Sequence, residues 1–470
     1  MSSQTINQKT PRTVALVTLG CARNETDSEE LAGRLAADGW VLVSDPAKAE
    51  IAVINTCGFI ESAKKDSVDA LLEAHSLKSN GITKAVVAVG CMAERYGNEL
   101  ASALPEADAI LGFDDYQDIS ARLSTIIDGG KITTHTPKDR RTLLPIAPAD
   151  RAEKKAAAQI DGPSPLGTVL RKRLDNAPIA PLKIASGCDR RCSFCAIPYF
   201  RGSFVSRRPT EIIEEAKWLA DNGVSEIYLV SENTTSYGKD FGDLKLMEKM
   251  LPDLSKIDGI KRIRLSYLQP AEVRPSLLQA MVSVDKVVPY FDLSFQHANG
   301  DLLRSMRRFG DGEKFLHLIS QIRALSPTAG IRSNFIVGFP GESDAAFMDL
   351  IEFLSEAQLD AIGVFGYSDE DKTEAETLPN KVAPEIIAER VSELSTLVDE
   401  LITQRSEMRI GEKISVLIED EAEQEGRAEH QGPDVDGSTF VKSRNKYRVG
   451  DYVDAVVSDV AGVDLIAQVI

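Results

Sequence analysis

Three short runs rich in Val, Ile and Ala each stop at a cysteine: TVALVTLGC at Cys21, IAVINTC at Cys57 and AVVAVGC at Cys91. The stretches between them, DSEELAGRLAADGW and ESAKKDSVDALLEAHSLKSNG, space their apolar residues as helices do and close on glycine. Strand, helix and strand recurring about every 35 residues read as βαβ units, because that spacing leaves room for the helical crossover that parallel strands need. An α/β domain with a parallel sheet is therefore predicted over residues 11–130. All strands of such a sheet end on one edge, where ligands of open α/β sheets sit, so the three thiols are predicted to converge there.

A chain of 470 residues exceeds one ordinary core, so several domains are expected. After ADAILGFDDYQDI and a predicted helix reaching Ile127, the pattern fades. Residues 131–180, rich in Lys, Arg, Ala and Pro, read as a linker or a partly ordered insertion. From residue 181 to 407, strand-like runs alternate with helices: PLKIAS, EIYLVS, RIRLSYL, YFDLSF, RSNFIVGF and AIGVFGY against TEIIEEAKWLADNG, RPSLLQAMVS, GEKFLHLISQIRALS and DAAFMDLIEFLSEAQ. Six strands with intervening helices predict a partial, TIM-like (β/α) barrel with its active residues at the strand C-termini. Pro384 opens a packing helix to about Met408, with Ile387, Val391, Leu394, Val398 and Leu401 on one face. Short strand candidates over residues 408–470 predict a small all-β barrel.

No run approaches the roughly 20 apolar residues that cross a bilayer, and MSSQTINQKTPR lacks the apolar core of a secretory signal, so a soluble, cytoplasmic protein without a membrane partner is expected. A formal charge of −18 argues against a broad phosphate-binding surface and suits a basic protein partner. Six cysteines in such a chain are too few for a disulfide scaffold, so their positions matter more than their number.

SGCDRRCSFCAIP places Cys188, Cys192 and Cys195 as CxxxCxxC behind a strand-like run. Three thiolates on one loop suit a 4Fe-4S cubane, each binding one iron and leaving the fourth open to substrate. The competing readings are a zinc site, which needs a fourth ligand absent nearby, a disulfide, or chance clustering. Cys21, Cys57 and Cys91 read singly as buried core thiols and jointly as a second metal site. Glu232 and Asn233 in SENTTSYG occupy a strand end suited to a cofactor's amino group or ribose, with a capped turn as the alternative. Gly338, Pro340 and Gly341 in FIVGFPGES admit close approach of a cofactor or simply make a turn. His297, beside Gln296 at another strand end, reads as a structural hydrogen-bonding residue.

The CxxxCxxC loop resembles that of the radical S-adenosylmethionine superfamily. That resemblance implies that S-adenosylmethionine chelates the open iron and is split to a 5′-deoxyadenosyl radical, and Phe194 matches the aromatic position near its adenine. LGCARNETDSE, INTCGFIESAKKDSVDALLE and GCMAERYGNEL are similar to the N-terminal domain of the methylthiotransferase family. There the three cysteines, here Cys21, Cys57 and Cys91, hold an auxiliary 4Fe-4S cluster, and the terminal barrel resembles the family's TRAM domain. Two clusters and S-adenosylmethionine, as both methyl donor and radical source, are thus implied, together with an electron donor and a sulfur donor that the residues do not identify. Sulfur insertion at an unactivated carbon offers no acidic proton, which is why a radical is needed. The family often has Glu before the Gly-Cys of the radical loop. Ser186 stands there in this chain.

SENTTSYGKD, SYLQPAE and PYFDLSFQHANGDLLRSMRR resemble the subgroup that modifies the β-carbon of an aspartate in ribosomal protein S-twelve, free or within the small ribosomal subunit. The alternative within the family is methylthiolation of a tRNA adenosine next to the anticodon. Residues 408–470 hold seven Lys and Arg against thirteen Asp and Glu, whereas an RNA-binding barrel should be basic. A basic ribosomal protein is the expected partner. A non-enzymatic iron-sulfur redox or binding protein would explain six thiols, but not a CxxxCxxC loop heading a six-strand pattern.

Overall fold

The computed structural model describes residues 12–79, 81–142, 159–160, 169–433 and 436–470. These form two compact units: residues 12–79, 81–142, 169–175 and 199–201 in the first, and the remaining described residues in the second.

In the first unit, β1 (Thr13–Thr18), α1 (Ala22–Ala37), β2 (Val41–Leu42), β3 (Ile51–Thr56), α2 (Glu61–Ser76), β4 (Ala85–Val89), α3 (Gly90–Ala103), β5 (Ala109–Ile110) and α4 (Ile119–Ile127) follow in turn. The parallel sheet has the order β2-β1-β3-β4-β5, as the repeated pattern predicted. Every residue of β3 and β4 is buried, which explains their unbroken apolar runs: a parallel strand covered on both faces has no polar side. Each such Val or Ile contributes about 1.5–3 kcal/mol on burial.

Helix α1 begins directly after Cys21, several residues earlier than apolar spacing predicted. Its buried face there is polar, consisting of Asn24, Thr26, Asp27, Ser28 and Glu29, so hydrophobic periodicity could not find it.

Part of the stretch read as a linker belongs to this unit. His135 Nε2 lies 3.1 Å from the carbonyl of Glu94, Arg140 pairs with the Glu94 carboxylate at 2.6 Å, and Arg171 pairs with buried Glu29 at 2.6 Å. Buried carboxylates need counter-charges, and this basic segment supplies them. Within the stretch, residues 143–158 and 161–168 lie outside the described residues.

The second unit opens with β6 (Ile179–Lys183), β7 (Ala185–Ser186), α5 (Ile197–Arg201, whose residues 199–201 count with the first unit) and β8 (Val205–Ser206). It continues through α6 (Pro209–Asp221), β9 (Glu226–Val230), α7 (Leu246–Ser255), β10 (Arg262–Leu265), α8 (Pro275–Ser283), β11 (Tyr290–Asp292), α9 (Gly300–Ser305), α10 (Gly312–Leu325), β12 (Gly330–Val337), α11 (Asp344–Ala357), β13 (Ala361–Gly366) and α12 (Pro384–Glu407). All six predicted strands are present. They pair in parallel as β10-β9-β6 and β11-β12-β13, with single parallel bridges at Ile263–Val287 and Leu268–Leu293 between the two sets. Helix α7 was not anticipated, since Pro252 inside it reads as a breaker. Helix α12 packs Leu394 and Val398 into the barrel's core, as the packing-helix reading expected.

Strands β14 (Lys413–Asp420), β15 (Glu425–Arg427), β16 (Thr439–Lys442), β17 (Tyr452–Ala461) and β18 (Asp464–Val469) close a barrel in the order β14-β15-β16-β18-β17. Among the described residues no helix is long and apolar enough to cross a membrane.

Candidate active site

Cys57 directly follows β3, Cys91 follows β4 by two residues in the first turn of α3, and Cys21 follows β1 by three; the three strands are neighbours in the sheet. Gly20, at φ +95, lies so close to Cys57 that a Cβ there would sit 3.0 Å from its Sγ, so the chain turns over the thiol only with glycine. The Cys57 N–H donates to Ser67 Oγ at 2.9 Å, tying its loop to α2. Cys91 Sγ lies 3.4 Å from Asn24 Oδ1 and 3.2 Å from Arg201 Nη2.

Burial pushes the Cys91 thiol up to about 12 and raises Cys57 as well, with Cys21 adding to both. Cys21 goes the other way: burial opposes, but Arg23 and Arg201 together pull it below its ordinary value. Among the described residues no three Cys, His, Asp or Glu side chains are gathered at ion-coordinating distance. The donor set nevertheless suits iron-sulfur chemistry: sulfur from three adjacent strand ends, with two thiols that burial keeps protonated unless a cation takes the proton's place.

In the second unit, Cys188, Cys192 and Cys195 lie half-buried on the loop between β7 and α5. Gly187, at φ +79, would place a Cβ 2.1 Å from the Ser203 carbonyl, and the Cys188 N–H bonds the Gly202 carbonyl at 3.0 Å. Ser193 is anchored three ways: its N–H to Met306 O at 3.1 Å, its Oγ to Ser305 O at 2.8 Å, and its carbonyl to the Ala375 N–H at 2.8 Å. Burial, with Cys192, Glu232 and Asp189 nearby, pushes Cys188 up to about 12. Glu232 follows the end of β9 by two residues. Ser186 pairs with Val205 across β7 and β8, so the position where Glu is common in the family serves here as a strand residue.

Asn233 is buried beside it, and its Nδ2 donates to Glu272 Oε2 at 2.7 Å and to Ser236 Oγ at 2.8 Å. Glu272 also pairs with Arg190 of the cysteine loop at 2.5 Å, and although burial opposes it, these donors hold its carboxyl below the usual range. Sequence reading missed Glu272, whose only signal was its place after a strand. It also missed Arg308, with Nη1 3.6 Å from Cys192 Sγ, and Gln269, whose buried Oε1 has no hydrogen-bond partner among the described residues. Gln269, Arg190 and Arg308 line one narrow crevice. Phe194 is half-buried against the barrel core.

Gly338 lies at φ +79, as the turn alternative expects of a glycine. The space above its Cα is also filled by Ile387 of α12, with Cγ1 2.4 Å from where a Cβ would be, so backbone conformation and helix packing both call for glycine. Its N–H bonds Glu342 Oε2 at 2.9 Å, and Pro340 is buried in the same turn. His297 is fully buried, accepts from the Asn299 N–H at 3.0 Å and faces Glu342 at 3.5 Å, as a structural histidine does.

Three family models match the chain: the uncharacterized protein family UPF0004 over residues 13–112, the radical SAM superfamily over 182–354, and the TRAM domain over 410–470. A protein of Streptomyces coelicolor named ribosomal protein uS12 methylthiotransferase RimO is 59% identical over 475 residues, covering 97% of this chain and 96% of its own. The chain belongs to the RimO family. A Cutibacterium acnes RimO is 58% identical, covering 97% of this chain and 98% of its own. Both relatives are named for ribosomal protein uS12 rather than for tRNA. Among solved structures, the radical S-adenosylmethionine methyltransferase TsrM from Kitasatospora setae, with cobalamin and a 4Fe-4S cluster bound, superposes with a TM-score of 0.54 at 13% identity, over 76% of this chain and 75% of that one. That likeness concerns the fold.

Proposed function

We propose that this chain replaces a hydrogen on the β-carbon of an aspartate in ribosomal protein uS12 with a methylthio group. In this reading Cys188, Cys192 and Cys195 hold one 4Fe-4S cluster, and Cys21, Cys57 and Cys91 hold an auxiliary one. The observation that carries it is the coexistence of two sulfur-only donor sets, one on a CxxxCxxC loop and one at three adjacent strand ends. Bound there, the clusters and S-adenosylmethionine supply an electron, a carbon-centred radical and a methylated sulfur.

The protein's own residues position this chemistry. Ser193 and Gly187 fix the loop's shape, and Glu272 holds Arg190 and Asn233 against each other at the head of the barrel. Glu232 and Asn233 are assigned to the amino group or ribose of S-adenosylmethionine, Phe194 to its adenine, and Pro340 to the turn that borders it. The deficit of basic residues in the terminal barrel supports a basic protein over RNA as substrate.

Mass spectrometry of uS12 from cells lacking this gene tests the substrate. The methylthio mass increment should vanish. Its persistence, with loss of a methylthio nucleoside from tRNA, would replace the protein substrate by RNA. Anaerobically loaded chain that forms no 5′-deoxyadenosine under strong reductant would remove the enzymatic reading altogether.

A further inference from the structure

Arg201 closes the short helix α5, on the stretch of chain that follows the radical loop, yet its side chain works at the other thiol set. One nitrogen, Nη2, lies 3.2 Å from Cys91 Sγ, 3.0 Å from Asn24 Oδ1 and 3.0 Å from Asp27 Oδ2. The side chains of Arg201 and Asp27 are only 7% and 8% exposed, and the guanidinium stacks over Phe113 at 4.9 Å. Asn24 is itself locked, donating to the carbonyls of Leu19 and Thr56 at 2.8 and 3.1 Å. The donor aimed at Cys91 is therefore held from several sides.

We propose that Arg201 is a positioning residue that raises the reduction potential of the auxiliary cluster through the sulfur of Cys91, while Asp27 restrains that effect. The inference rests on reading Cys21, Cys57 and Cys91 as ligands of that cluster. A guanidinium remains charged at any working pH, and a charged donor on a ligand sulfur stabilises the added electron of a reduced cluster. Burial leaves the effect nearly unscreened by salt. Asp27 shares the same nitrogen and carries the opposite charge, so its removal has the opposite sign. A side chain that merely packed would not show this inversion.

The test is an EPR-monitored redox titration of the full chain in which Cys188, Cys192 and Cys195 are alanine, so that the auxiliary cluster reports alone. Arg201→Gln should lower the reduction equilibrium constant at least tenfold, or about 59 mV for a one-electron couple. Asp27→Asn should raise the potential, and Arg201→Lys should recover part of the loss. Shifts below about twofold in that constant for Arg201→Lys and Asp27→Asn, or shifts of one sign in both, overturn the proposal. Should Arg201→Gln load no cluster, those two variants decide by the same criterion. A reference chain with no iron at Cys21, Cys57 and Cys91 would overturn the function reading, and this inference with it. A loaded cluster with unmoved potential overturns the inference alone.

Discussion

Replacing Glu226 with glutamine removes one buried charge and leaves three guanidiniums facing its site. Glu226 opens β9, is fully buried, and accepts from Arg264 Nε at 2.9 Å, with Arg262 at 3.7 Å and Arg427 of the terminal barrel at 3.8 Å. Arg262 and Arg264 also donate to the carbonyls of Ser415, Arg427 and Glu429, so the carboxylate sits where the two barrels meet. Burial alone would raise its carboxyl, but Arg264, Arg427 and Arg262 hold it at about 2, against an ordinary 4.5. That difference corresponds to roughly 3 kcal/mol. Breaking a buried ion pair from one side costs about 3–5 kcal/mol, which agrees.

The assay is urea unfolding of full-length Glu226→Gln in a Trp40→Phe chain. Trp218, on α6, then reports the second unit, whose transition is read separately because the chain has two units. Glu226 has a folded pKa below its unfolded one, so its contribution is complete above about pH 4.5 and is lost as pH falls towards 2. The two chains should therefore differ by about 3 kcal/mol at pH 7 and converge in acid. A difference under about 1 kcal/mol at pH 7, or one that widens on acidification, would refute the argument.

Three further outcomes are expected. Cys57→Ala should keep S-adenosylmethionine cleavage and lose methylthio transfer, checked by assaying 5′-deoxyadenosine and modified uS12 in the same reaction; retained transfer would remove the auxiliary cluster from the chemistry. Gly187→Ala, which drives a Cβ to 2.1 Å from the Ser203 carbonyl, should cost the radical-loop cluster while sparing the other, seen as a fall from two clusters per chain towards one by iron analysis. Phe335→Ala, which opens a void against the rings of Phe295 and Phe353, should destabilise the second unit by about 3–5 kcal/mol by the same Trp218 readout.

The strands that carry the cysteines were legible because their physics is local. A fully buried parallel strand must be apolar on both faces, and β3 and β4 advertise this in sequence. The longer helices of the second unit were found by their apolar stripe, except α7, where Pro252 hid it; in the first unit the polar start of α1 hid that helix's first turns. The packing reason for Gly338 was invisible because Ile387 approaches it from a helix some fifty residues on in the chain.

What the sequence determined by itself was therefore the succession of elements, the CxxxCxxC loop and the three cysteine-ended runs, all properties of short windows. Only the tertiary structure decided that β1, β3 and β4 are neighbours and that Arg201 points its charge at Cys91. It likewise assigned Arg190 and Asn233 to Glu272, and the basic pieces around His135 and Arg171 to the buried acids Glu94 and Glu29. The reason is electrostatic. A buried charge must find an opposite partner wherever the fold brings one, and nothing in its own stretch of chain records which partner that will be.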